Sequence, residues 1–370
     1  MHPEFERLMN DATALVRSGD LRAATAAIQA ALNGKTATAA AAPGMPPGAG
    51  DIVIDVQARE VDAPATPQEK LDGPGFEPQP QQQSQPQPQP QPADSFIAGE
   101  FSDGRMQRQY KLYVPPQAGD RPLPLVVMLH GCTQDPDDFA RGTRMNEAAR
   151  AQGFFVLYPA QSQQANPQRC WNWFKHSHQQ RGRGEPALLA AMTRDVIARH
   201  GIDPRRVYVA GLSAGGAMAA ILGETYPDVF AAVGVHSGLA AGSAKDLPSA
   251  LAAMRSGAAA ANSTPGAPTI VFHGDADATV HPANGEHVIT GSVGGARSEP
   301  EVDRQRAGSG RGYTRRVHRS PEGQALAEHW VVHGSGHAWS GGSHQGSFTD
   351  PGGPDATGQM LRFFLQHSRR

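Results

Sequence analysis

Apolar residues fall into three regimes along the chain. In the first, Phe5, Leu8, Met9, Ala12, Leu15 and Val16 recur at helical spacing. Ser18-Gly19-Asp20 interrupts them, and Leu21, Ala24, Ala27, Ile28, Ala31 and Leu32 form a second stripe ended by Asn33-Gly34. This predicts a short helical hairpin over residues 1–34. Such a hairpin is too small to be stable without a partner. It reads either as an accessory that docks on the rest of the chain or on another subunit, or as a module that binds a protein partner. In the second regime, residues 35–94, Ala, Pro, Gly and Gln dominate, and Gln79 to Pro92 alternates Pro with Gln. That composition predicts a disordered, extended linker.

The third regime starts at Ser95. Phe96–Phe101, Gln109–Val114, Leu125–Leu129, Phe154–Tyr158, Val207–Ala210, Ala231–Val235, Thr269–Phe272 and Trp330–Val332 read as strands. Several are continuous apolar runs, as expected of strands buried on both faces. Helical stretches near 138–152, 186–200, 214–226 and 355–367 lie between or after them. The alternation predicts one α/β domain over 95–370, a three-layer sandwich around a mostly parallel sheet. The polar, Gly- and Arg-rich stretch 291–312 reads as a flexible surface loop.

Composition sharpens this division. The chain holds 4 Trp, 6 Tyr and 13 Phe, of which only Phe5 and Phe76 precede Asp94. Bulky core-forming side chains are therefore confined to the third regime. A net charge of −2 gives no field to draw nucleic acid or anionic lipid. No apolar run reaches the roughly 18 residues of a membrane span. Two cysteines exclude a disulfide scaffold and a four-Cys zinc site, and no H-E-x-x-H spacing occurs among the 15 histidines. No metal and no cofactor are expected. Met1 to Asn10 is polar, with no apolar leader segment, which argues for a cytoplasmic protein.

The candidate chemistry sits in the third regime. Val207 to Met218 places G-x-S-x-G between an apolar strand and a helix of small residues. That is the context of a nucleophile elbow, with Ser213 at the tip of a tight turn and the helix N-terminus behind it. A serine hydroxyl needs a base, and the base an orienting acid. Asp277 lies just beyond the strand 269–272, with Asp275 the alternative acid. His337 lies in the Gly-rich loop after the last strand. The order Ser213, Asp277, His337 and the three strand ends make a coherent triad. Oxyanion donors are expected at the backbone N–H of Ala214 and, from the loop after an early strand, of Cys132.

The motifs H-G-C-T-Q at 130–134, C-W-N-W-F at 170–174, G-L-S-A-G-G-A-M at 211–218, H-G-D-A-D at 273–277 and G-S-G-H-A-W-S-G-G at 334–342 occur in this order. Together they resemble the poly(3-hydroxybutyrate) depolymerase family of esterases, within the α/β-hydrolase superfamily. The resemblance covers about residues 95–368. It implies a serine esterase acting on short-chain polyhydroxyalkanoates, or on acetyl or feruloyl esters of polysaccharides, as related families do. It also implies Trp173 and Trp339 as substrate-binding residues lining the cleft. A disulfide between Cys132 and Cys170 is implied as well, with a reduced pair as the alternative in a reducing compartment. Many relatives act outside the cell, which opposes the cytoplasmic reading of the N-terminus. A reading from another class is a non-catalytic scaffold that recruits a partner through residues 1–34.

Overall fold

A computed structural model describes residues 94–258, 266–293, 299–305 and 310–369. The hairpin expected over 1–34, and all but the last residue of the linker expected over 35–94, lie outside the described residues.

Ten strands form one sheet in the order β1-β2-β4-β3-β5-β6-β7-β10-β9-β8. The parallel centre comprises β4 (Phe155–Pro159), β3 (Leu123–Leu129), β5 (Ile202–Leu212), β6 (Ala232–His236), β7 (Thr269–Gly274) and β10 (Ala325–Val332). Antiparallel strands complete both sides: β1 (Ser95–Ser102) and β2 (Gln107–Val114) on one, β8 (Glu301–Gln305) and β9 (Tyr313–Arg319) on the other. The central strands are buried along nearly their whole length, so their sequences are apolar without alternation.

Alternate residues still face opposite layers. Leu125, Val127, Val209, Val235 and Val271 pack in one core with α3 (Gly184–Arg199), α4 (Ala214–Thr225), α5 (Leu247–Ser256) and α6 (Ala283–Val293). Val126, Met128, Tyr208, Ala210 and Phe272 pack in the other with α1 (Pro136–Thr143), α2 (Met145–Gln152) and α7 (Ala356–Phe364). This is the three-layer arrangement that the strand pattern predicts.

Three local differences have physical causes. The helical stretch near 138–152 is two helices, because Arg144 takes a left-handed backbone (φ 56°) that ends α1 and starts α2. The stretch read as a surface loop at 291–312 contains the edge strand β8, all of whose residues are exposed. An edge strand with both faces wet carries no hydrophobic alternation, and backbone pairing with β9 alone defines it. Trp339, expected in the substrate cleft, is fully enclosed. Its ring stacks 5.1 Å from the His236 ring and meets Phe139 edge-on, and its Nε1–H donates to Thr357. The indole is core packing with a satisfied polar end. Trp173 is only 5% exposed and belongs to the core layer that contains α3.

Candidate active site

Four of the parallel strands, β3, β5, β7 and β10, end at the same edge and place the candidate residues there. Loops leave β3 into His130-Gly131-Cys132, β5 into Ser213, β7 into Asp277 and β10 into His337. The β5–β6 register ends on Leu212 opposite His236, whose carbonyl accepts the Ser213 N–H at 2.9 Å.

Ser213 has φ 58° and ψ −119°, a conformation that L-residues avoid and that stores roughly 1–3 kcal/mol. The flanking glycines permit it. A Cβ on Gly215 would lie 2.0 Å from the Leu129 carbonyl oxygen, and one on Gly211 would lie 2.4 Å from the Gly215 backbone. Strand β3, the elbow and the start of α4 are thus in backbone contact. Because α4 begins at Ala214, that residue's N–H has no partner within the helix.

Two loops carry the acid and the base. The Asp275 and Ala276 amides donate to the Val332 and Ser335 carbonyls, both at 3.1 Å, which joins the β7 loop to the β10 loop. His337 Nδ1 lies 2.8 Å from Asp277 Oδ2. Asp277 Oδ1 accepts the Thr279 and Val280 amides, each at 2.9 Å. His273 stands behind the carboxylate, its Nε2 3.4 Å from Asp277 Oδ2 and 2.8 Å from the Val280 carbonyl. Burial alone would push the Asp277 carboxyl up. The His273 and His337 imidazoles outweigh it and hold the group well below the usual carboxylate range. Asp277 is therefore ionised and accepts a hydrogen bond from the Nδ1–H of His337, which leaves Nε2 as the basic nitrogen. Asp275, the alternative acid, turns instead to His333 Nδ1 (2.8 Å) and the Gly334 N–H (2.7 Å) in a half-exposed pair. Neither the Ser213 hydroxyl nor His337 Nε2 has a hydrogen-bond partner among the described residues.

The loop from β3 is fixed on several sides. Cys132 is bonded to Cys170 in a disulfide, 38 residues on. His130 is buried. Its Nε2 accepts the Gln161 N–H, and its carbonyl accepts the Trp171 indole N–H at 3.1 Å. Burial lowers its pKa to about 4, so it is a neutral structural group. Below it lies a buried polar cluster that sequence reasoning did not single out. Glu185 Oε1 accepts from Gln161 and Asn172 side chains and from Arg108, while its Oε2 accepts the Asn172 N–H. Asn172 lies inside the C-W-N-W-F motif, where only the Trp and Cys had an evident role. His236 was also missed. It is buried between Phe272 and Trp339, its Nε2 accepts the Ser340 N–H, and burial lowers its pKa to about 3. Among the described residues no cluster of His, Cys, Asp or Glu has the arrangement of a metal site, and no helix is long and apolar enough to cross a membrane.

The sheet order, the two helical layers and the strand-to-helix elbow define the α/β-hydrolase fold. Residues 108–294, half of the chain, match the Esterase PHB depolymerase family, and the chain belongs to that family. The chain is 33% identical over 248 residues to a poly(3-hydroxyalkanoate) depolymerase C of Paucimonas lemoignei, covering 62% of this chain and 56% of that protein. A feruloyl esterase B of Thermothelomyces thermophilus is 36% identical over 152 residues, covering 41% of this chain and 51% of that protein. The chain thus spans about half the length of these curated relatives. An acetyl xylan esterase structure from Aspergillus awamori superposes with a TM-score of 0.57 at 20% identity, covering 73% of this chain and 99% of that one. At that identity the likeness concerns the fold.

Proposed function

We propose that the chain is a serine ester hydrolase that works through an acyl-enzyme, with Ser213 as nucleophile, His337 as general base and Asp277 as its orienting acid. The observation that supports this best is the Asp277–His337 hydrogen bond on the same sheet edge as a serine held in a strained strand-to-helix turn. With Nδ1 held by Asp277, His337 Nε2 takes the Ser213 proton as Oγ attacks the ester carbonyl. The tetrahedral oxyanion is bound by the N–H groups of Ala214 and Cys132, neither of which has a partner among the described residues. The protonated imidazole then passes its proton to the leaving alcohol. A water molecule, activated by the same nitrogen, releases the acid.

The substrate reading follows the relatives. Polyhydroxyalkanoates, such as polyhydroxybutyrate, and their short oligomers come first, because the family match and the 33% identical relative both carry depolymerase names. Acetyl or feruloyl esters of polysaccharides are the second reading, supported by the relatives named as feruloyl and acetylxylan esterases. Hydrolysis of a short p-nitrophenyl ester by Ser213→Ala tests the mechanism. The expected loss in kcat is at least about 10³-fold with an unchanged circular dichroism spectrum. Activity retained within tenfold would overturn the nucleophile assignment. Product release from polyhydroxybutyrate film, from its oligomers and from acetylated xylan decides between the substrate classes.

A further inference from the structure

The N–H of Cys132 lies between two amides that are both occupied. The Gly131 N–H donates to the side-chain oxygen Oε1 of Gln134 at 2.9 Å, and the Thr133 N–H donates to the Gln168 carbonyl at 2.7 Å. The loop also abuts the nucleophile, since a Cβ on Gly131 would lie 3.7 Å from Ser213 Cβ. The direction of the Cys132 N–H is thus set by what its neighbours hold. Two buried side chains are among the holders: His130 Nδ1 lies 2.7 Å from the Gly131 carbonyl, in the peptide that carries the Cys132 N–H, and Gln134, 2% exposed, holds the peptide before it.

The Gln134 amide is itself locked in orientation. Its Nε2 donates to Asp138 Oδ2 at 2.9 Å and faces the Ser347 carbonyl and hydroxyl oxygens, both at 3.2 Å. Asp138 in turn accepts the Ser347 N–H at 2.9 Å and the Ser347 hydroxyl. These hydrogen bonds outweigh the effect of burial and hold the Asp138 carboxyl below its usual range. A flipped amide would set Oε1 against a carboxylate and leave the Gly131 N–H buried without an acceptor. Ser347 belongs to an exposed turn seated on α1, where the Ser343 N–H donates to the Gly142 carbonyl at 2.8 Å. A chain of hydrogen bonds therefore runs from that surface turn to the peptide beside the nucleophile.

We infer that Gln134 is a positioning residue for the oxyanion site, holding the His130–Gly131 peptide, and through it the turn at Gly131, so that the Cys132 N–H faces the reacting carbonyl, and that Asp138 and Ser347 keep it there. This rests on the reading of Cys132 as an oxyanion donor. The brace touches no substrate and acts only on where one donor points. Its loss should weaken stabilisation of the tetrahedral state and leave ground-state binding nearly unchanged.

The test compares Gln134→Leu, Ser347→Ala and, as a surface control, Gln345→Ala in the full chain. The readouts are kcat and KM on a p-nitrophenyl ester, Ki for an alkyl boronic acid that adds to Ser213 as a tetrahedral anion, and Tm. Removing an oxyanion donor outright costs about 10²–10³ in kcat, so misdirecting one should cost roughly 10–100-fold in Gln134→Leu. KM should stay within about threefold, and the boronate Ki should rise in step with the fall in kcat/KM. Ser347→Ala removes a surface hydroxyl and keeps the fold. It should show the same pattern at roughly a third to a tenth of the effect, so the inference is tested even if Gln134→Leu does not fold. Gln345→Ala should match the wild type. A kcat/KM within twofold of wild type in folded Gln134→Leu, or a loss confined to KM with the boronate Ki unmoved, overturns the brace and leaves the esterase reading intact. A wild-type chain with neither Ser213-dependent turnover nor boronate binding overturns both.

Discussion

Mild acid should destabilise this protein, and two buried histidines set much of the effect. His130 and His236 are each 1% exposed, with pKa values lowered to about 4 and about 3. In both, Nε2 accepts a backbone N–H, from Gln161 and Ser340 respectively. A proton on that nitrogen would face a donor in a site closed to solvent by burial. The unfolded chain has no such constraint and takes up protons near pH 6.5. Below that pH the unfolded state binds more protons than the folded one, so stability is complete above about pH 6.5 and falls as the pH drops toward the folded values. For one such group the loss at pH 5 is about 2 kcal/mol, and for the pair about 4 kcal/mol. That is a large share of a typical stability of roughly 5–15 kcal/mol. His200, His318 and His329 are also lowered by burial and add in the same direction. The carboxylates held low, Asp277 and Glu185 among them, stay ionised in this window. Urea unfolding at pH 7, 6 and 5 measures the change, with a constant m-value as the check on two-state behaviour. In His236→Asn, the loss between pH 7 and 5 should be smaller by about 2 kcal/mol. A wild-type stability at pH 5 within about 1 kcal/mol of that at pH 7 would refute the reasoning.

Two further outcomes are expected. Glu185→Gln keeps the shape of the buried cluster but leaves the Arg108 guanidinium, 8% exposed, without a counter-charge. The expected cost is about 3–5 kcal/mol in urea unfolding, and a change under about 1 kcal/mol would show that the cluster contributes little. Reduction of Cys132–Cys170 opens a loop of 38 residues, worth about 4 kcal/mol in the loop-entropy model. Dithiothreitol should lower Tm and kcat together, because Cys132 sits in the loop after β3 that we propose binds the oxyanion. An unchanged Tm with two free thiols by titration would refute it.

Much of the site was legible because its chemistry is local in sequence. G-x-S-x-G needs only a strand before it and a helix after it, and the glycines declare a backbone contact that no side chain allows. Asp277 and His337 could be placed because each follows an apolar strand at the same sheet edge. The choice between Asp277 and Asp275 was not local. Both follow β7, two residues apart, and only the path of the β10 loop sends His337 to one and His333 to the other. Trp339 misled for a related reason: it is two residues from His337, but the β10 loop turns its indole inward against His236 and Phe139.

The sequence by itself determined the three-layer α/β class of the domain that starts near Ser95 and the chain order in which Ser213, Asp277 and His337 follow their strands. Hydrophobic period and tight-turn glycines are properties of neighbouring residues, readable without a fold. Tertiary structure alone decided the supports. Gln134 meets Ser347 across 213 positions, Arg108 meets Glu185 across 77, and His236 meets Ser340 across 104. These are polar side chains whose burial is paid for by partners far along the chain, and a polar residue in a motif does not say which distant group will satisfy it.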